Sequence, residues 1–357
     1  MENYRPESKL ILRLLLDKTH FALKKLRNFR EPKIEDVFKL GRYYLGPEDF
    51  EITNYLRKHA WSAFNPGSVK INDTVYIFPR LIFDYYAYVS SVGVCSLNIN
   101  GLVNGNIKKP LRTKVILWPR EVWEQLGCED PRVFAQNGMF YILYCGRGYY
   151  RIENGNVIKN DALALAVLDA NWNVLKRGFF HVSKGEEKHV PSNRDSAFLK
   201  ITGHTASLVT RPVVNGIKVC WRAVADIEEF TMNEKDLQPV FAPEKWESHI
   251  GWSTNAVELS SNEYLVGWHG VSKSDFAYRN GLALVDENGD LLAISNYVLS
   301  PSGLNEEYGD RPFTTFGNGL IVYKDLLIWI GGLSDCFVGI FVAELQKAID
   351  KLRWITT

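Results

Sequence analysis

Carboxylate, amide, guanidinium and imidazole side chains recur at matching places in this sequence of 357 residues. Five segments of similar pattern each begin on a polar residue, and these starting residues are Asn65, Asp130, Asp195, Asn255 and, approximately, Thr315. The same segments end on Arg80, Gly146, Arg211, His269 and Asp335. A carboxylic acid can transfer a proton, and arginine binds anions in a bidentate manner. Because amides and carboxylates hydrogen-bond hydroxyl groups and tryptophan stacks on sugar faces, this set favours carbohydrate chemistry.

Each starting residue also has a purely structural explanation. Asp or Asn at the start of a strand often forms an Asx turn, which requires no function. For any single position, the structural explanation is as good as a functional one. Five polar residues at the same position of five repeated segments are more than turn capping requires. We therefore expect the starts and ends of the five segments to lie together around one cavity.

The five segments have the pattern of β-hairpins, since an apolar strand, a short polar turn and an aromatic or β-branched strand follow one another in each. They span residues 65–80, 130–146, 195–212, 255–270 and 315–335. The period is about 60 to 65 residues, and a hairpin cannot bury both of its faces alone, so stacked or radially arranged sheets are predicted. The predicted fold is all-β, with residues 60–357 forming a five-bladed β-propeller that is the catalytic domain.

Helices are predicted at both ends of the chain. Leucines spaced among lysines and arginines in residues 7–28 fit an amphipathic helix, and residues 35–40 are predicted to form a second short helix. Residues 1–59 are therefore predicted to be an N-terminal helical extension. This extension would pack on the propeller or on a neighbouring subunit, which makes a homo-oligomer possible. Residues 343–352 are predicted to form a short C-terminal helix.

Composition and charge argue against several classes of partner. The net charge of +1 creates no field that would attract nucleic acid or an acidic membrane surface. No apolar run reaches the roughly 18 residues needed to cross a bilayer, and the N-terminus lacks a signal-peptide cleavage site. The five cysteines form no CxxC pair. We therefore expect no nucleic-acid or membrane partner, and a cytoplasmic protein with reduced thiols.

Metal and nucleotide motifs are missing from the sequence. The seven histidines show neither HxH nor HExxH spacing, and no glycine-rich phosphate loop occurs. We therefore predict neither a metal site nor a nucleotide cofactor.

Seven short motifs follow one another in a fixed order from about residue 60 to the end. They are Phe64-Asn65-Pro66, Glu129-Asp130-Pro131-Arg132, Asn193-Arg194-Asp195, Arg211-Pro212, His249-Ile250-Gly251, Trp268-His269-Gly270 and Asp335. In their order and rough spacing, these motifs resemble glycoside hydrolase family 130, the β-mannoside phosphorylases and β-1,2-mannosidases. The Glu-Asp-Pro-Arg motif alone is a modest signal, whereas seven motifs in order are a strong one. The resemblance implies a five-bladed propeller, in agreement with the repeat.

The resemblance also implies a role for each matching residue. It implies that Asp130 is the catalytic acid, whose proton reaches the leaving oxygen through a hydroxyl of the bound mannose. The residues implied to bind phosphate are Arg194, Arg211, His249 and His269. The residues predicted to bind the substrate are Asn65, Arg80, Asp195, Asn255, Tyr278 and Asp335. An inverting phosphorylase needs one acid and cations for the phosphate dianion, whereas an inverting hydrolase needs two carboxyl groups.

Two positions depart from the family pattern. The lysine of the family's phosphate site is His249 in this chain, and histidine can be neutral at pH 7. Asp195 stands where mannosylglucose phosphorylases carry asparagine, and a carboxylate beside phosphate weakens binding unless it pairs with Arg194. Asp195 is alternatively the base of a hydrolase, or a residue that orients the acceptor sugar.

The predicted function is inverting phosphorolysis of β-mannosides to α-mannose 1-phosphate, with β-1,2-linked manno-oligosaccharides as the expected substrates. Inorganic phosphate is the expected co-substrate, and no other cofactor is predicted. One alternative is a β-1,2-mannosidase or a mannosyltransferase on the same scaffold. An alternative of another class is a non-catalytic carbohydrate- or protein-binding propeller, although an acid at Asp130 that faces cations favours the enzymes.

Overall fold

The computed structural model describes residues 5–152 and 155–355. The described α-helices are α1 Lys9–Lys25, α2 Ile99–Val103, α3 Leu304–Glu307 and α4 Leu345–Ile349. Short 3₁₀ helices lie at Pro47–Asp49, Val122–Glu124 and Glu234–Asp236. The strands are β1 Gly41–Leu45, β2 Phe50–Ile52, β3 Ser62–Ile71, β4 Thr74–Ile82, β5 Ser90–Asn98, β6 Leu111–Leu117, β7 Gly127–Gln136, β8 Met139–Arg151, β9 Val157–Leu168, β10 Val174–Phe179, β11 His181–Lys184, β12 Glu187–His189, β13 Ser192–Thr202, β14 Thr205–Val214, β15 Ile217–Lys218, β16 Cys220–Asp226, β17 Thr231–Asn233, β18 Gln238–Phe241, β19 Glu247–Ser260, β20 Glu263–Ser272, β21 Tyr278–Asp286, β22 Leu291–Leu299, β23 Thr315–Tyr323, β24 Leu326–Leu333, β25 Phe337–Glu344 and β26 Arg353–Trp354. The predicted all-β class is confirmed.

The five hairpins of the repeat are present as antiparallel pairs. They are β3–β4, β7–β8, β13–β14, β19–β20 and β23–β24. Each pair gains a third antiparallel strand, which is β5, β9, β16, β21 or β25 in turn. We call these groups the first to fifth units. The first strands of the units pack against one another in chain order, and β23 also packs against β3.

Apolar side chains fill the spaces between successive units. Phe78 and Val133 belong to the cluster between the first and second units, and similar clusters join the second to the third, the third to the fourth and the fourth to the fifth. Another cluster, which contains Ile77 and Ile330, joins the fifth unit to the first. Each unit therefore buries both of its faces against neighbours, as the period of the repeat predicted.

The fifth unit contains strands from both ends of the chain. β1 pairs with β25 over all five of its residues, from Gly41 with Val342 to Leu45 with Val338. Residues 41–52, which the sequence analysis assigned to the helical extension, thus contain two strands. The chain is tied together near its ends by an antiparallel ladder.

The second short helix predicted for residues 35–40 does not form. Three backbone N–H groups of this segment donate to neighbouring strands: Glu35 to the carbonyl of Tyr297 at 2.7 Å, Val37 to that of Val298 at 3.1 Å and Leu40 to that of Val342 at 3.1 Å. These bonds replace the bonds to residue i−4 that a helix would need. The segment is extended along the fourth and fifth units.

Helix α1 packs on the third unit. Ser8 caps it by accepting a hydrogen bond from the N–H of Ile11 at 3.2 Å. Its buried residues include Leu15 and Ala22, which join the apolar cluster between the second and third units. The apolar face of this amphipathic helix is therefore buried on its own chain. No described helix is both long and apolar enough to span a membrane.

The predicted C-terminal helix is present as α4 and is shorter than expected. After it the chain returns to a strand, because β26 pairs with β22 of the fourth unit.

Candidate active site

A register shift in each hairpin positions the polar residues. The β3–β4 ladder slips between Phe64 and Gly67, and the other four hairpins slip at corresponding places. At these bulges Asn65, Asp130 and Asp195 have φ angles of 43°, 52° and 54°. Asn and Asp adopt this left-handed conformation more readily than other residues with a side chain. Because a bulge redirects the strand, these three residues turn their side chains into a common cavity.

The cavity has a volume of about 370 Å³ and lies where strands of all five units meet. Ten of the eleven predicted site residues line it, and these are Asn65, Arg80, Asp130, Arg194, Asp195, Arg211, His249, His269, Tyr278 and Asp335. Seven further residues line it, namely Tyr88, Glu129, Arg147, Lys218, Arg311, Thr314 and Phe316. The volume is within the range of small-molecule sites.

Asp130 is buried and held by two donors. Its Oδ1 accepts hydrogen bonds from Asn65 Nδ2 at 2.9 Å and from Arg80 Nη1 at 3.0 Å. Its Oδ2 is 3.8 Å from Arg194 Nη1. Burial alone would raise the pKa of Asp130, but the charges of Arg80, Arg194 and Arg132 outweigh burial and hold the pKa below its ordinary value. Asp130 is therefore ionised at neutral pH.

Glu129 connects the arginines around Asp130. Its carboxylate pairs with Arg80 and with Arg194, each at 2.9 Å, and more loosely with Arg147 at 3.4 Å. Arg194 also pairs with Asp161 at 3.0 Å. Arg194, which was predicted to bind phosphate, lines the cavity but has three carboxylates within 4 Å, those of Glu129, Asp161 and Asp130.

Asp335 provides a second carboxyl group near Asp130, and its pKa is shifted in the opposite direction. Burial raises its pKa to about 6, the charge of Arg80 lowers it and the charge of Asp130 raises it further. Within residues 5–152 and 155–355 its carboxyl group has no hydrogen bond or ion pair. We call Asn65, Arg80, Asp130 and Asp335 the acid half of the cavity.

Asp195 is clamped between two guanidinium groups. Arg132 Nη2 lies 3.1 Å from Oδ1, and Arg211 Nε lies 2.5 Å from Oδ2. Burial opposes ionisation, but Arg211 and Arg132 together lower the pKa of Asp195 well below its ordinary value. The partners of Asp195 are thus Arg132 and Arg211 rather than Arg194. A carboxylate with both oxygens engaged in this way is a poor general base.

His249, Tyr278 and Arg311 form a connected row on the other side of the cavity. Arg311 Nη2 donates to Tyr278 Oη at 2.7 Å, and Tyr278 Oη lies 3.1 Å from His249 Nε2. Lys218 and Arg211 line the cavity beside this row. We call Arg211, Lys218, His249, Tyr278 and Arg311 the anion half, because it contains three cationic side chains and Asp195 as their neighbouring carboxylate.

His269 lies next to the anion half and is fully enclosed. Its ring stacks on that of Tyr278 with centroids 5.6 Å apart, and its Nδ1 lies 3.0 Å from Ser253 Oγ. Burial lowers the pKa of His269 well below its ordinary value, although the charge of Asp195 works against that shift. His269 is therefore neutral at pH 7.

Asn255 is the predicted site residue that does not reach the cavity. Its Oδ1 accepts a hydrogen bond from the N–H of Leu320 at 2.8 Å, and its Nδ2 donates to the carbonyl of the same residue at 3.1 Å. These bonds join the fourth and fifth units. Asn255 thus has a structural position in place of the predicted contact with substrate.

The described residues contain no group of three or more His, Cys, Asp or Glu side chains that could hold a metal ion.

A comparison with protein families identifies the chain. The family model described as beta-1,4-mannooligosaccharide phosphorylase matches residues 29–353. The chain belongs to glycoside hydrolase family 130. Members of this family are enzymes that act on mannosides.

Two characterised relatives from Thermoanaerobacter sp. (strain X514) match most of this family 130 chain. A β-1,2-mannobiose phosphorylase is 25% identical over 332 residues, which cover 87% of this chain and 99% of the relative. A 1,2-β-oligomannan phosphorylase is 24% identical over 298 residues, which cover 80% of this chain and 90% of the relative.

A solved structure is also similar to this family 130 chain. It is the β-1,2-mannobiose phosphorylase from Listeria innocua in complex with β-1,2-mannobiose, with a TM-score of 0.66 and 16% identity. The match covers 87% of this chain and 99% of that one. At this identity the likeness shows the fold alone.

Sequence reasoning missed three cations of this family 130 site, one of which, Arg147, directly follows Gly146 at the end of the second hairpin segment. Lys218 lies on the short strand β15, and Arg311 lies in the segment before β23. Neither residue is at the start or the end of a repeated hairpin, so the repeat gave no signal for them. Glu129 was visible as part of the Glu-Asp-Pro-Arg motif, but its role in holding three arginines depends on contacts between units.

Proposed function

We propose that the protein is an inverting β-1,2-mannoside phosphorylase that converts β-1,2-linked manno-oligosaccharides and inorganic phosphate to α-mannose 1-phosphate and a shortened acceptor. The observation that carries this proposal is the division of the cavity. A single ionisable acid pair, Asp130 and Asp335, lies in one half, and the other half holds cations with Asp195 fully engaged. The names of the two Thermoanaerobacter relatives support the substrate class.

The proposed reaction places the reacting carbon between the two halves. A phosphate oxygen forms a bond to C1 of the mannosyl unit while the bond from C1 to the glycosidic oxygen breaks. The proton of Asp130 passes through a mannose hydroxyl to that leaving oxygen, so that the acceptor departs neutral. Attack on the face opposite the leaving group inverts the configuration and gives the α-phosphate.

The lowered pKa of Asp130 fits this reaction when phosphate binds before the proton is transferred. A phosphate dianion adds negative charge to the cavity, and a like charge raises the pKa of a nearby carboxylate. The binding of the co-substrate would thus help Asp130 to take up the proton that it must later give.

A hydrolase is the second candidate function, and Asp335 is the observation that favours it. An inverting hydrolase needs a second carboxyl group to activate water. Asp195 is unsuited to that role because Arg132 and Arg211 hold both of its oxygens. Asp335 has no such partner in the described parts of the chain, so it is the base that a hydrolase would use.

The decisive experiment is to incubate the protein with β-1,2-mannobiose in the presence and in the absence of inorganic phosphate. The proposal predicts α-mannose 1-phosphate, detected by ³¹P NMR, and free mannose as the acceptor in equal amounts. Equal turnover without phosphate would assign the hydrolase instead. Binding of mannobiose with no turnover in either buffer would favour the non-catalytic propeller.

We also propose a five-bladed propeller as the architecture. The five units, their apolar clusters and the packing of β23 on β3 support five blades around one cavity. The antiparallel pairing of β1 with β25 joins an early strand of the chain to a late one, as is typical of closed propellers.

Two finer expectations remain part of the proposal. A homo-oligomer through α1 is supported by the exposed side chains of Leu12 and Phe21, and size-exclusion chromatography with light scattering would test it. A cytoplasmic location is supported by five free cysteines, four of them buried.

A further inference from the structure

The burial and the hydrogen bonds of His249 together favour a neutral ring with its proton on Nδ1. Ser248 Oγ donates its only proton to the carbonyl of Val271 at 3.1 Å, so at 3.0 Å it must accept a proton from His249 Nδ1. The other nitrogen, Nε2, is then the acceptor for Tyr278 Oη. Burial, together with the charges of Lys218 and Arg211, lowers the pKa of His249 to about 3. His249 therefore brings no positive charge to the anion half at neutral pH.

Arg311 supports this assignment from the other end of the row. A guanidinium group can only donate, so Tyr278 Oη accepts from Arg311 and keeps its own proton for His249. The guanidinium carbon of Arg311 also lies 4.6 Å from the centroid of the Tyr278 ring. The row Arg311–Tyr278–His249–Ser248 thus has one direction of donation throughout.

Most cations of the cavity are neutralised by carboxylates. Ion pairs hold Arg80, Arg147 and Arg194 to Glu129 and hold Arg211 to Asp195. An arginine that shares its charge in this way has less of it to offer to an incoming anion.

Lys218 and Arg311 are different. Within residues 5–152 and 155–355 neither has a carboxylate within 4 Å, and Lys218 has no hydrogen bond from its ammonium group. Lys218 is partly buried on β15 and lines the cavity together with Arg211 and His249. A partly buried ammonium group without a partner is unfavourable until an anion reaches it.

We propose that Lys218, with Arg311 as the second cation, binds the phosphate of the reaction, and that His249 positions Tyr278 instead of carrying charge to the phosphate. This inference rests on the proposed function, because it names the residues that hold its co-substrate. The family pattern has a lysine at the position of His249. In this chain Lys218, next to the third unit, would supply the positive charge of that lysine.

The test compares two lysine variants of the full chain. Lys218→Met removes the proposed cation, and Lys245→Met is the matched control, because Lys245 is exposed in the adjoining cavity and does not line the active-site cavity. Binding of inorganic phosphate is measured by calorimetry, and KM is measured separately for phosphate and for β-1,2-mannobiose.

We expect Lys218→Met to raise the Kd and the KM for phosphate by about 10- to 100-fold, the usual effect of losing one charge-assisted hydrogen bond. The KM for mannobiose should change by less than about 2-fold, Lys218→Arg should retain most of the phosphate affinity, and Lys245→Met should behave as wild type. A merely structural role of Lys218 would move both KM values together.

Two results would overturn the inference. One is an unchanged phosphate Kd in Lys218→Met, and the other is a wild-type protein that binds no phosphate. Failure of the proposed function has a different signature, namely a wild-type protein that binds phosphate and releases mannose without forming mannose 1-phosphate. In that case the calorimetric comparison of Lys218→Met with wild type still decides whether Lys218 binds the anion.

Discussion

The two halves of the cavity treat their charges in opposite ways. In the acid half, Arg80 is bound by Glu129 and Asp130, so its position is fixed before any ligand arrives. In the anion half, Lys218 and Arg311 have no carboxylate partner in the described parts of the chain. Paired charges give a rigid geometry, whereas unpaired charges cost stability and leave room for an anion.

The same contrast exists on a smaller scale between the two carboxyl groups of the acid half. The pKa of Asp130 is lowered by Arg80, Arg194 and Arg132 against the effect of burial. Burial raises the pKa of Asp335 to about 6. The surroundings therefore stabilise the ionised form of Asp130 and destabilise the ionised form of Asp335, although both residues line the same cavity. Replacing each by its amide separates catalysis from stability.

Asp130→Asn should give the largest effect on activity. The amide keeps an oxygen that can accept from Arg80 but has no proton to transfer, so kcat for β-1,2-mannobiose should fall by about 10²- to 10⁴-fold. Initial rates of mannose 1-phosphate formation measure the loss. Thermal unfolding and mannobiose binding should show that the variant is folded and still binds its substrate.

A mannoside with an activated leaving group is the control for Asp130→Asn. A dinitrophenolate leaves without needing a proton, so the variant should recover most of its rate with 2,4-dinitrophenyl β-mannoside. Equal losses on both substrates would remove Asp130 as the acid and leave it a binding residue.

Asp335→Asn should raise stability, and by an amount that depends on pH. Between the ordinary pKa of about 4 and the raised value, the folded protein binds more protons than the unfolded chain, so wild-type stability falls as pH rises through this window. The amide of the Asp335→Asn variant cannot ionise, so the variant does not lose stability as the pH rises through this window. At pH 7 we expect the variant to be about 1 to 3 kcal/mol more stable than wild type, with the difference vanishing near pH 4.

Urea unfolding at a series of pH values measures the difference. Asp325→Asn is the matched control, because Asp325 is an exposed carboxylate in the turn of the same hairpin. If Asp335→Asn is no more stable than wild type at pH 7, or if Asp325→Asn shows the same gain, the contrast between the two carboxyl groups is wrong. Lost turnover in the more stable variant would mark Asp335 as a group retained for function.

The repeat made most of the site predictable. A polar residue at a bulge in a hairpin has a fixed place relative to the cavity, so Asn65, Asp130 and Asp195 could be grouped before the structure was known. Asn255 lies outside the cavity, and the bulge of the fourth hairpin does not have the left-handed residue found in the first three. The carboxamide of Asn255 then bonds to the backbone of Leu320.

Other features depended on contacts between units, which no local pattern contains. Lys218 reaches the cavity from a two-residue strand outside the repeated hairpins. Residues 35–40 resembled a helix, but the neighbouring strands offered carbonyl groups that satisfied their N–H groups in an extended form. Whether Asp195 pairs with Arg194 or with Arg211 was likewise a question of packing between strands.

Tyr278→Phe should give the smallest effect on activity. It tests whether His249 only positions Tyr278, as proposed, or binds the phosphate as a cation. The change removes the hydroxyl that accepts from Arg311 and donates to His249, and leaves the aromatic ring beside His269 in place. Because Arg311 then loses one hydrogen bond that holds it in place and Lys218 is untouched, we expect the KM for phosphate to rise by about 2- to 10-fold. The measurement is the phosphate KM of Tyr278→Phe alone and in the Lys218→Met background. If His249 were a charged phosphate ligand, its Nε2–H would donate to Tyr278 Oη, and removal of that acceptor would free the N–H for the anion and lower the phosphate KM instead. Additive effects of the two substitutions would mean that the row and the lysine act separately, and a smaller combined effect would mean that both act on one bound phosphate.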